Sequence, residues 1–272
     1  MADCSSFICL SRERGSFTTL IELKEIEARQ GDFILRVSRL RLKKGELVAV
    51  LGNNGSGKST FLSVLSGLRG FTGGYLLDER DFSEYPLIER HRIVSLLPQH
   101  SSLNMPFDVH YVVLTGRYPY TDGKGYSSVD IARTEETLRR LDIYHLRNRQ
   151  FNELSGGEKQ RVLLARVVNR DSPVMLLDEP LSGVDLRHQH EIVNLLEELS
   201  RERLILIVVH DITLAVREFE RFLFFVDGTL KYDLKKDELD ESRLSEVFQV
   251  NIRFLKEGNR VFVYTDGIKK EV

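Results

Sequence analysis

The sequence has few cysteines and no long apolar run. Only Cys4 and Cys9 occur among its 272 residues, and both lie near the start of the chain. Two cysteines in this position form no disulfide framework, so we expect a reducing compartment. The longest apolar runs, 204–209 (LILIVV) and 222–226 (FLFFV), fall well short of the roughly 20 residues that a transmembrane helix needs. If the protein works at a membrane, we expect another chain to hold it there.

An excess of charge of one sign is also absent. The chain has 39 Lys and Arg against 41 Asp and Glu, which gives a net charge of −2. This balance indicates no general affinity for nucleic acid, so nucleic acid is not an expected partner. Residues 1–16 have neither the basic start nor the apolar stretch of a signal peptide, and we predict that they form an N-terminal tail.

Four apolar runs of strand length alternate with amphipathic segments of helical length. This order is typical of an α/β fold with a mainly parallel sheet. Polar residues follow all four runs, and in an open parallel sheet ligands bind beyond the carboxyl ends of the strands. The predicted strands are 47–52, 93–97, 174–177 and 204–209, and the predicted helices include 58–68, 131–141, 158–168 and 189–201.

The remaining segments are less regular. Residues 18–42 alternate loosely, as strands do, and residues from about 100 to 155 indicate a mostly helical insertion. After a turn at 227–228 we predict a helix at 238–248 and a hairpin with strands at 252–255 and 261–264. The chain therefore divides into a tail (1–16), a main domain (17–232) and a C-terminal extension (233–272), which either regulates the domain or completes its fold.

The segment GNNGSGKST at 52–60 matches the phosphate-loop pattern G-x-x-x-x-G-K-[ST]. Backbone N–H groups in such a loop surround phosphate oxygens, but the helix dipole contributes only about 0.3–1 kcal/mol. The charge of Lys58 contributes about 4 kcal/mol to the attraction of a phosphate charge about 4 Å away near a protein surface. The alternative is a glycine turn that only caps a helix. The predicted phosphate-binding residues are Gly52, Asn53, Asn54, Gly55, Ser56, Gly57, Lys58, Ser59 and Thr60, with the Ser59 hydroxyl also available to Mg²⁺.

Two acids, an amide and an imidazole follow the other strands. Adjacent carboxylates at Asp178 and Glu179 repel each other and resist burial unless a cation is near. We therefore predict that Asp178 holds Mg²⁺ and that Glu179 polarises an attacking water; a solvated acidic turn is the alternative. Gln99 is a water ligand, an Mg²⁺ ligand or a loop residue. His210 is a γ-phosphate contact or a structural histidine.

The segment LSGGEKQR at 154–161 begins a predicted helix with two glycines. Ser155 and Glu158 have the spacing of a capping box, which accounts for these two residues. Gly156 and Gly157 lower helix stability, and their accessible N–H groups at a helix N-terminus suit an anion. Because the phosphate loop already encloses the chain's own nucleotide, we predict that this helix end contacts the nucleotide of a second copy in a head-to-tail dimer.

Together, GNNGSGKST, Gln99, LSGGEKQR, VMLLDEP, SGVD and His210 resemble, in order and spacing, the nucleotide-binding subunit of an ATP-binding cassette (ABC) transporter. The resemblance covers about residues 18–230. It implies a phosphate-loop NTPase core, an N-terminal antiparallel β-subdomain and an inserted helical subdomain, with ATP and Mg²⁺ as cofactors. It also implies that two copies close around two ATP, drive a membrane partner and reopen on hydrolysis.

The resemblance assigns each motif residue to one of the two ATP molecules. Residues that act on the chain's own ATP are Lys58, Ser59 and Thr60 (phosphates and Mg²⁺), Asp178 (metal), Glu179 (catalytic base), Gln99 (Mg²⁺ sensor and link to the membrane partner) and His210 (γ-phosphate). Residues that act on the opposing ATP are Ser155, Gly156 and Gly157, with Asp185 in a loop that crosses the dimer interface.

Three shorter motifs indicate a subgroup. GRYPY at 116–120, DLRHQ at 185–189 and HDITLAVR at 210–217 resemble ATPases of importers for iron–siderophore complexes, haem or cobalamin. There, two ATPase chains pair with two polytopic permease chains and, indirectly, a substrate-binding protein, which implies a peripheral position on the cytoplasmic side of the inner membrane. The alternative is a soluble ABC ATPase of repair, translation or cluster assembly, although the chain has no second cassette and no basic arm.

One position departs from the family pattern. Most members have an aromatic residue before the first core strand that stacks on adenine, and here Arg29 or Gln30 falls at about that place. An arginine guanidinium can stack on a base, so Arg29 is one candidate. Phe33 is another. The residue that contacts adenine is therefore open among Arg29, Gln30 and Phe33.

Overall fold

The computed structural model describes residues 19–99, 106–257 and 260–268. The predicted tail and both cysteines lie outside these residues. The strands are β1 (Thr19–Gln30), β2 (Phe33–Lys43), β3 (Leu47–Leu51), β4 (Thr72–Leu77), β5 (Arg80–Asp81), β6 (Val94–Leu97), β7 (Val174–Asp178), β8 (Leu204–Val208), β9 (Arg221–Val226), β10 (Thr229–Lys235), β11 (Val250–Glu257) and β12 (Arg260–Ile268). The α-helices are α1 (Lys58–Leu65), α2 (Leu87–Ile93), α3 (Val109–Leu114), α4 (Ser128–Arg140), α5 (Gly156–Arg170), α6 (Leu186–Ser200), α7 (Ile212–Glu218) and α8 (Glu241–Phe248).

Within the described residues, ten strands form one mixed sheet in the order β5-β4-β1-β2-β10-β9-β3-β8-β7-β6. The five strands β9, β3, β8, β7 and β6 are parallel to one another. Strand β1 is antiparallel to both β2 and β4. Strand β10 joins the two halves, because it is antiparallel to β9 and meets β2 at the pair Thr229 and Arg36. The predicted parallel core and antiparallel N-terminal part are confirmed, and they share one continuous sheet.

The central strands are buried on both faces, which explains their continuous apolar runs. In β3, Val48 and Val50 belong to the apolar core on one face, and Ala49 and Leu51 to the core on the other. The first core includes α1 and the antiparallel strands, and the second includes α5, α6, α7 and the C-terminal segment. Because β3, β6, β7 and β8 are parallel, their carboxyl ends lie at the same edge of the sheet.

The four predicted parallel strands are confirmed, each with ends that differ by one residue at most. The four predicted helices correspond to α1, α4, α5 and α6. Helix α2 was not predicted, and residue 93 was assigned to a strand instead. Because α2 has no buried residue and Leu87 is 68% exposed, it lacks the buried apolar stripe by which a helix is predicted.

The predicted insertion is helical, and a buried arginine anchors it on α5. The Arg117 guanidinium donates from Nε to Asp130 Oδ1 at 2.9 Å and from Nη1 to the carbonyl oxygens of the last two residues of α5, each at 3.2 Å. Beside it, Gly116 approaches α5 so closely that a Cβ would lie 2.2 Å from the carbonyl oxygen of Arg166. The GRYPY motif therefore has a structural role at this contact.

The C-terminal extension packs on the same core as the central strands. The predicted helix at 238–248 is α8, which begins at Glu241 after its N-cap Asp240, and the predicted hairpin is the longer pair β11 and β12. The predicted boundary at 232/233 falls inside β10. Apolar side chains of the extension that join the core of α5 and α6 are Leu244, Val247, Ile252 and Val263.

No helix of the described residues combines the length and the apolar composition that crossing a bilayer requires.

Replacing the buried cation of the insertion should destabilise the fold. In Arg117→Met, the buried carboxylate of Asp130 loses its cation, and we expect the free energy of unfolding to fall by about 3–5 kcal/mol in chemical denaturation. The control is Arg187→Met, which breaks the exposed pair between Arg187 and Glu191 and should cost about 0–1 kcal/mol. Equal losses in the two variants would contradict an anchoring role for Arg117.

Candidate functional site

The phosphate loop connects β3 to α1, and two of its glycines are required by the backbone. Gly52 has φ 143°, and a Cβ there would lie 2.2 Å from the carbonyl oxygen of Phe225. Gly57 has φ 105° as the residue before α1, and a Cβ there would lie 2.9 Å from the Phe33 ring. Any larger residue would push the loop away from the sheet, so these glycines fix its position.

Lys58 is buried at the start of α1 and is held inside the loop. Its Nζ donates to the carbonyl oxygens of Gly52 at 2.8 Å and Asn53 at 2.9 Å. Burial lowers the pKa of Lys58, and the carboxylates of Glu179 and Asp178 act in the opposite direction. The loop therefore keeps a positive charge next to the two acids at the end of β7.

Asp178 is the last residue of β7 and is only 3% exposed. Its carboxylate accepts a hydrogen bond from the Ser59 side chain, yet its Oδ1 has no partner within the described residues. Burial raises the pKa of this carboxyl above its ordinary value, while the Ser59 bond opposes the shift. A buried carboxylate oxygen without a partner, next to a hydroxyl, is a suitable donor set for a hard divalent cation.

No group of three or more His, Cys, Asp and Glu side chains with metal-binding geometry occurs in the described residues. A cation at Asp178 and Ser59 would therefore take its other ligands from a side-chain amide oxygen, from water or from bound phosphates. This incomplete protein shell is the usual arrangement for Mg²⁺, which keeps several such ligands.

Side chains that follow three of the parallel strands meet at Glu179. Its Oε1 accepts a hydrogen bond from Gln99 Nε2 at 2.5 Å and lies 2.6 Å from His210 Nε2. Its backbone has φ 53°, a conformation that is uncommon outside glycine, and its carbonyl oxygen accepts a hydrogen bond from Gln160 Nε2 at 3.1 Å. The structure thus joins Gln99, Glu179 and His210, as expected from their positions after parallel strands.

An open cavity of about 730 Å³ lies over this edge of the sheet, within the range of small-molecule sites. Of the three candidates for the adenine contact, Gln30 and Phe33 line it. Arg29 does not, and its guanidinium pairs with Glu27 at 3.1 Å. The residues that line the cavity are Gln30, Phe33, Asn54, Gly55, Gly57, Lys58, Ser59, Thr60, Gln99, Glu179 and His210.

The predicted capping box at the start of α5 is confirmed. Ser155 donates from its backbone N–H and its hydroxyl to Glu158 Oε2 at 2.8 and 2.7 Å, and Glu158 N–H donates back to Ser155 Oγ at 3.4 Å. These hydrogen bonds lower the pKa of Glu158. Ser155 does not line the cavity, so this helix end is separate from the chain's own phosphate loop.

The two glycines of this helix end differ, which corrects the sequence interpretation. A Cβ on Gly157 would lie 2.9 Å from the carbonyl oxygen of Gly183, so close packing within the chain already requires a glycine there. A Cβ on Gly156 would have no atom within 4 Å. Packing within the chain therefore requires glycine at 157 but not at 156.

Asp185 is the N-cap of α6. Its carboxylate accepts hydrogen bonds from His188 N–H at 3.2 Å and from His188 Nδ1 at 2.6 Å, and these contacts lower the pKa of Asp185. Gln189 Nε2 donates to the carbonyl oxygens of Leu181 and Val184, which holds the preceding turn. The DLRHQ motif is thus accounted for by local helix capping, and its exposed Asp185 remains accessible.

Gln160 was missed by the sequence reasoning. It lies one turn after Gly156 on α5, within the quoted LSGGEKQR motif, and it holds the backbone of Glu179. The motif supplied a signal, because Gly156 and Gln160 are four residues apart and share one face of the helix. Which segment this face contacts depends on how α5 packs.

A phosphate loop beside a buried acid, an adjacent glutamate and a histidine at one edge of a parallel sheet defines a phosphate-loop NTPase. Within that class, the chain belongs to the ABC transporter family, because residues 35–182, more than half of the chain, match the family model described as ABC transporter. It is therefore an ABC-type ATPase that binds ATP.

Named relatives agree with this assignment. The chain is 40% identical over 207 residues to the hemin import ATP-binding protein HmuV of Pseudomonas aeruginosa, covering 74% of this chain and 80% of that protein. A chain of an ABC transporter solved in an inward-facing conformation shares the fold, with a TM-score of 0.77 at 24% identity over 92% of this chain and 98% of that chain. The dimeric ATP-binding cassette MJ0796 with ADP and Pi has a TM-score of 0.69 at 27% identity, covering 79% and 98%.

Neutralising the buried acid should stabilise the fold. Because burial holds the folded-state pKa of Asp178 above its unfolded value, ionisation of this carboxyl disfavours the folded state at neutral pH. At pH values below the ordinary pKa of a carboxyl, Asp178 is protonated in both the folded and the unfolded state. Its ionisation then no longer lowers the stability of the folded state. We expect Asp178→Asn, without nucleotide or metal, to raise the Tm at pH 7 and to lose this gain as the pH falls to about 4.

The control for this prediction is Asp237→Asn, which changes an exposed carboxyl and should leave the Tm unchanged. A lower Tm of Asp178→Asn at pH 7 would mean that Lys58 and Ser59 outweigh the cost of burial.

Proposed function

We propose that this chain is the ATP-hydrolysing subunit of an importer, and that two copies bind two ATP molecules between them head to tail. The observation that carries the proposal is the cluster of Lys58, Glu179 and His210 on one cavity at the sheet edge. The dimer is supported by the helix end at Ser155, which does not line that cavity, and by the dimeric state of MJ0796.

The phosphate loop binds the ATP phosphates through the backbone N–H groups of 52–60 and through Lys58. Mg²⁺ binds at Ser59 and Asp178, because the partnerless Oδ1 of Asp178 is the buried oxygen that a cation would satisfy. Gln99, which contacts Glu179, would supply an amide oxygen to the metal. Bound Mg²⁺ neutralises charge that develops on the phosphates.

Glu179 is the general base that accepts a proton from the attacking water. Its Oε1 is engaged by both Gln99 and His210. These contacts compete with water for the same oxygen, so ATP must draw them away before hydrolysis. We propose that His210 turns to the γ-phosphate and Gln99 to Mg²⁺, which frees the carboxylate.

Phe33 is the adenine contact. It lines the cavity and packs over Gly57, so its ring lies next to the phosphate loop. Gln30 also lines the cavity, but its Oε1 is engaged by the Thr60 hydroxyl at 3.2 Å, which makes it a polar edge contact. Arg29 is not proposed for this role, because it does not line the cavity and its guanidinium pairs with Glu27.

The opposing ATP is bound by Ser155 and by the N–H groups of Gly156 and Gly157. Gly156 carries this part of the proposal, because a Cβ there would have no atom within 4 Å, and N–H groups in the first turn of a helix have no partner within the helix and suit a partner's γ-phosphate. Asp185 crosses the dimer interface from the neighbouring loop. Each copy therefore completes the site of the other.

The transported substrate is an iron–siderophore complex, haem or cobalamin, with haem favoured by the name of the relative HmuV. The partners are polytopic permease subunits and, indirectly, a substrate-binding protein, and the chain is peripheral on the cytoplasmic side of the inner membrane. Tyr118 of GRYPY, 67% exposed, is the permease contact of that motif. Residues 17–232 form the ATPase domain, with the insertion at about 100–155, and 233–272 form the extension.

Slowing hydrolysis should trap the proposed dimer. In Glu179→Gln, the base is replaced by a group that cannot accept the proton, while the phosphate loop is unchanged. We expect size-exclusion chromatography with light scattering to give a dimer in ATP and Mg²⁺ and a monomer without ATP. A variant that binds ATP and remains monomeric would count strongly against the head-to-tail site.

A negative charge at Gly156 should block only the partner's ATP. In the single chain Gly156→Asp has open space, and an acid in the first helical turn is favoured by the helix dipole by about 0.3–1 kcal/mol. In the Glu179→Gln background, we expect this change to abolish ATP-dependent dimerisation while ATP binding by the monomer is retained. The matched control is Ser128→Asp, the same position of α4, which should dimerise normally. Loss of ATP binding in the monomer would place Gly156 at the chain's own site.

A further inference from the structure

The C-terminal unit formed by α8, β11 and β12 contacts the phosphate loop directly. Asn53 Nδ2 donates a hydrogen bond to the carbonyl oxygen of Val247 at 3.2 Å. Val247 lies in the last turn of α8, where carbonyl groups have no partner within the helix. The Asn53 side chain does not line the cavity, so its amide is directed to the C-terminal unit instead of to the nucleotide.

Asn53 also holds the lysine of the phosphate loop. Its backbone carbonyl oxygen accepts a hydrogen bond from Lys58 Nζ at 2.9 Å and another from Ser56 N–H at 3.1 Å. One residue therefore connects α8, through its side chain, to Lys58, through its carbonyl oxygen.

A second contact reaches the helix that follows His210. Thr213 Oγ1 donates to the carbonyl oxygen of Val263 in β12 at 3.2 Å. Thr213 lies in the first turn of α7, and its N–H donates to the Asp211 carboxylate at 2.8 Å. Since Asp211 directly follows His210, the C-terminal unit is connected to the histidine as well as to the lysine.

The two contacts belong to one cross-linked unit. Ile252 N–H donates to Ser245 Oγ at 2.9 Å, and Phe254 N–H donates to Glu241 Oε1 at 2.9 Å. Arg253 pairs with the same Glu241 at 2.9 Å. These bonds tie α8 to β11, and β11 is paired along its length with β12. Val247 and Val263 therefore belong to the same hydrogen-bonded unit.

We propose that this unit is a positioning element of the ATP site, and that Asn53 and Thr213 are the positioning residues through which it acts. Lys58 and His210 lie beyond the ends of β3 and β8, where the hydrogen bonds of the sheet no longer fix them. The C-terminal unit contacts the segments that contain both residues, the phosphate loop and the start of α7. Reaction geometry depends on their relative position, since misplacement by about 1 Å can cost a hundredfold in rate. The inference rests on ATP hydrolysis by this chain and assigns a role to its extension.

The test removes each contact in the full chain and measures steady-state ATPase kinetics. Asn53→Ala deletes the amide, and Thr213→Val replaces the hydroxyl at equal size. For each variant we expect kcat to fall by about threefold to tenfold with KM nearly unchanged, because a displaced Lys58 or His210 stabilises the transition state less well. Thr213→Ser keeps the donor and should restore kcat.

The double variant tests whether the two contacts act through one unit. If they do, breaking the second contact after the first should cost little, so the loss in kcat should be smaller than the product of the single losses. The matched control is Asn251→Ala, which removes the amide bond to Asp266 O at 3.4 Å in the same hairpin, away from the site. We expect this control to keep the wild-type kcat.

Three outcomes would overturn the proposal. A lower Tm with wild-type kcat in both single variants would mean that the contacts only hold the extension in place. A change in KM alone would mean that Asn53 contributes to ATP binding and not to positioning. Losses that multiply in the double variant would mean two independent contacts. In contrast, a wild-type chain without ATPase activity would refute the proposed function itself.

Discussion

The structure depends on the cost of placing charge at the end of an apolar sheet. Lys58 and Asp178 are buried beside strands whose two faces are packed with apolar side chains, and neither charge is stable there without partners. Two loop carbonyls satisfy Lys58, whereas Asp178 Oδ1 has no partner within the described residues. A buried positive charge and a buried carboxylate oxygen without a partner therefore lie at the same edge of the sheet.

The surrounding elements connect this edge to distant surfaces. Gln160 on α5 holds the backbone of Glu179, and Arg117 at the opposite end of α5 anchors the helical insertion. A continuous set of contacts thus runs from the insertion, along one rigid helix, to the glutamate beside Gln99 and His210. The same helix begins with the capping box at Ser155.

Much of the site could be predicted because its signals are local. The phosphate loop is a fixed spacing of glycines and a lysine, and parallel strands bring their ends to one edge, so Gln99, Glu179 and His210 were expected together. Helix α2 was missed because it exposes its apolar residues. The presence of glycine at 157 was attributed to a second nucleotide alone, although the approach of Gly157 to Gly183 already requires a glycine. That approach joins two separate turns, and no pattern within either turn indicates it.

The sequence alone determined the α/β class, the four parallel strands, the phosphate loop and the capping box, because periodicity and spacing act between neighbours in the chain. Only the tertiary structure decided that Phe33 and Gln30, and not Arg29, reach the cavity. It also decided that the Asn53 amide points to the C-terminal unit. These outcomes depend on which distant segments pack together. The hydrophobic effect that drives such packing is non-directional, so no local sequence pattern indicates which segments will meet.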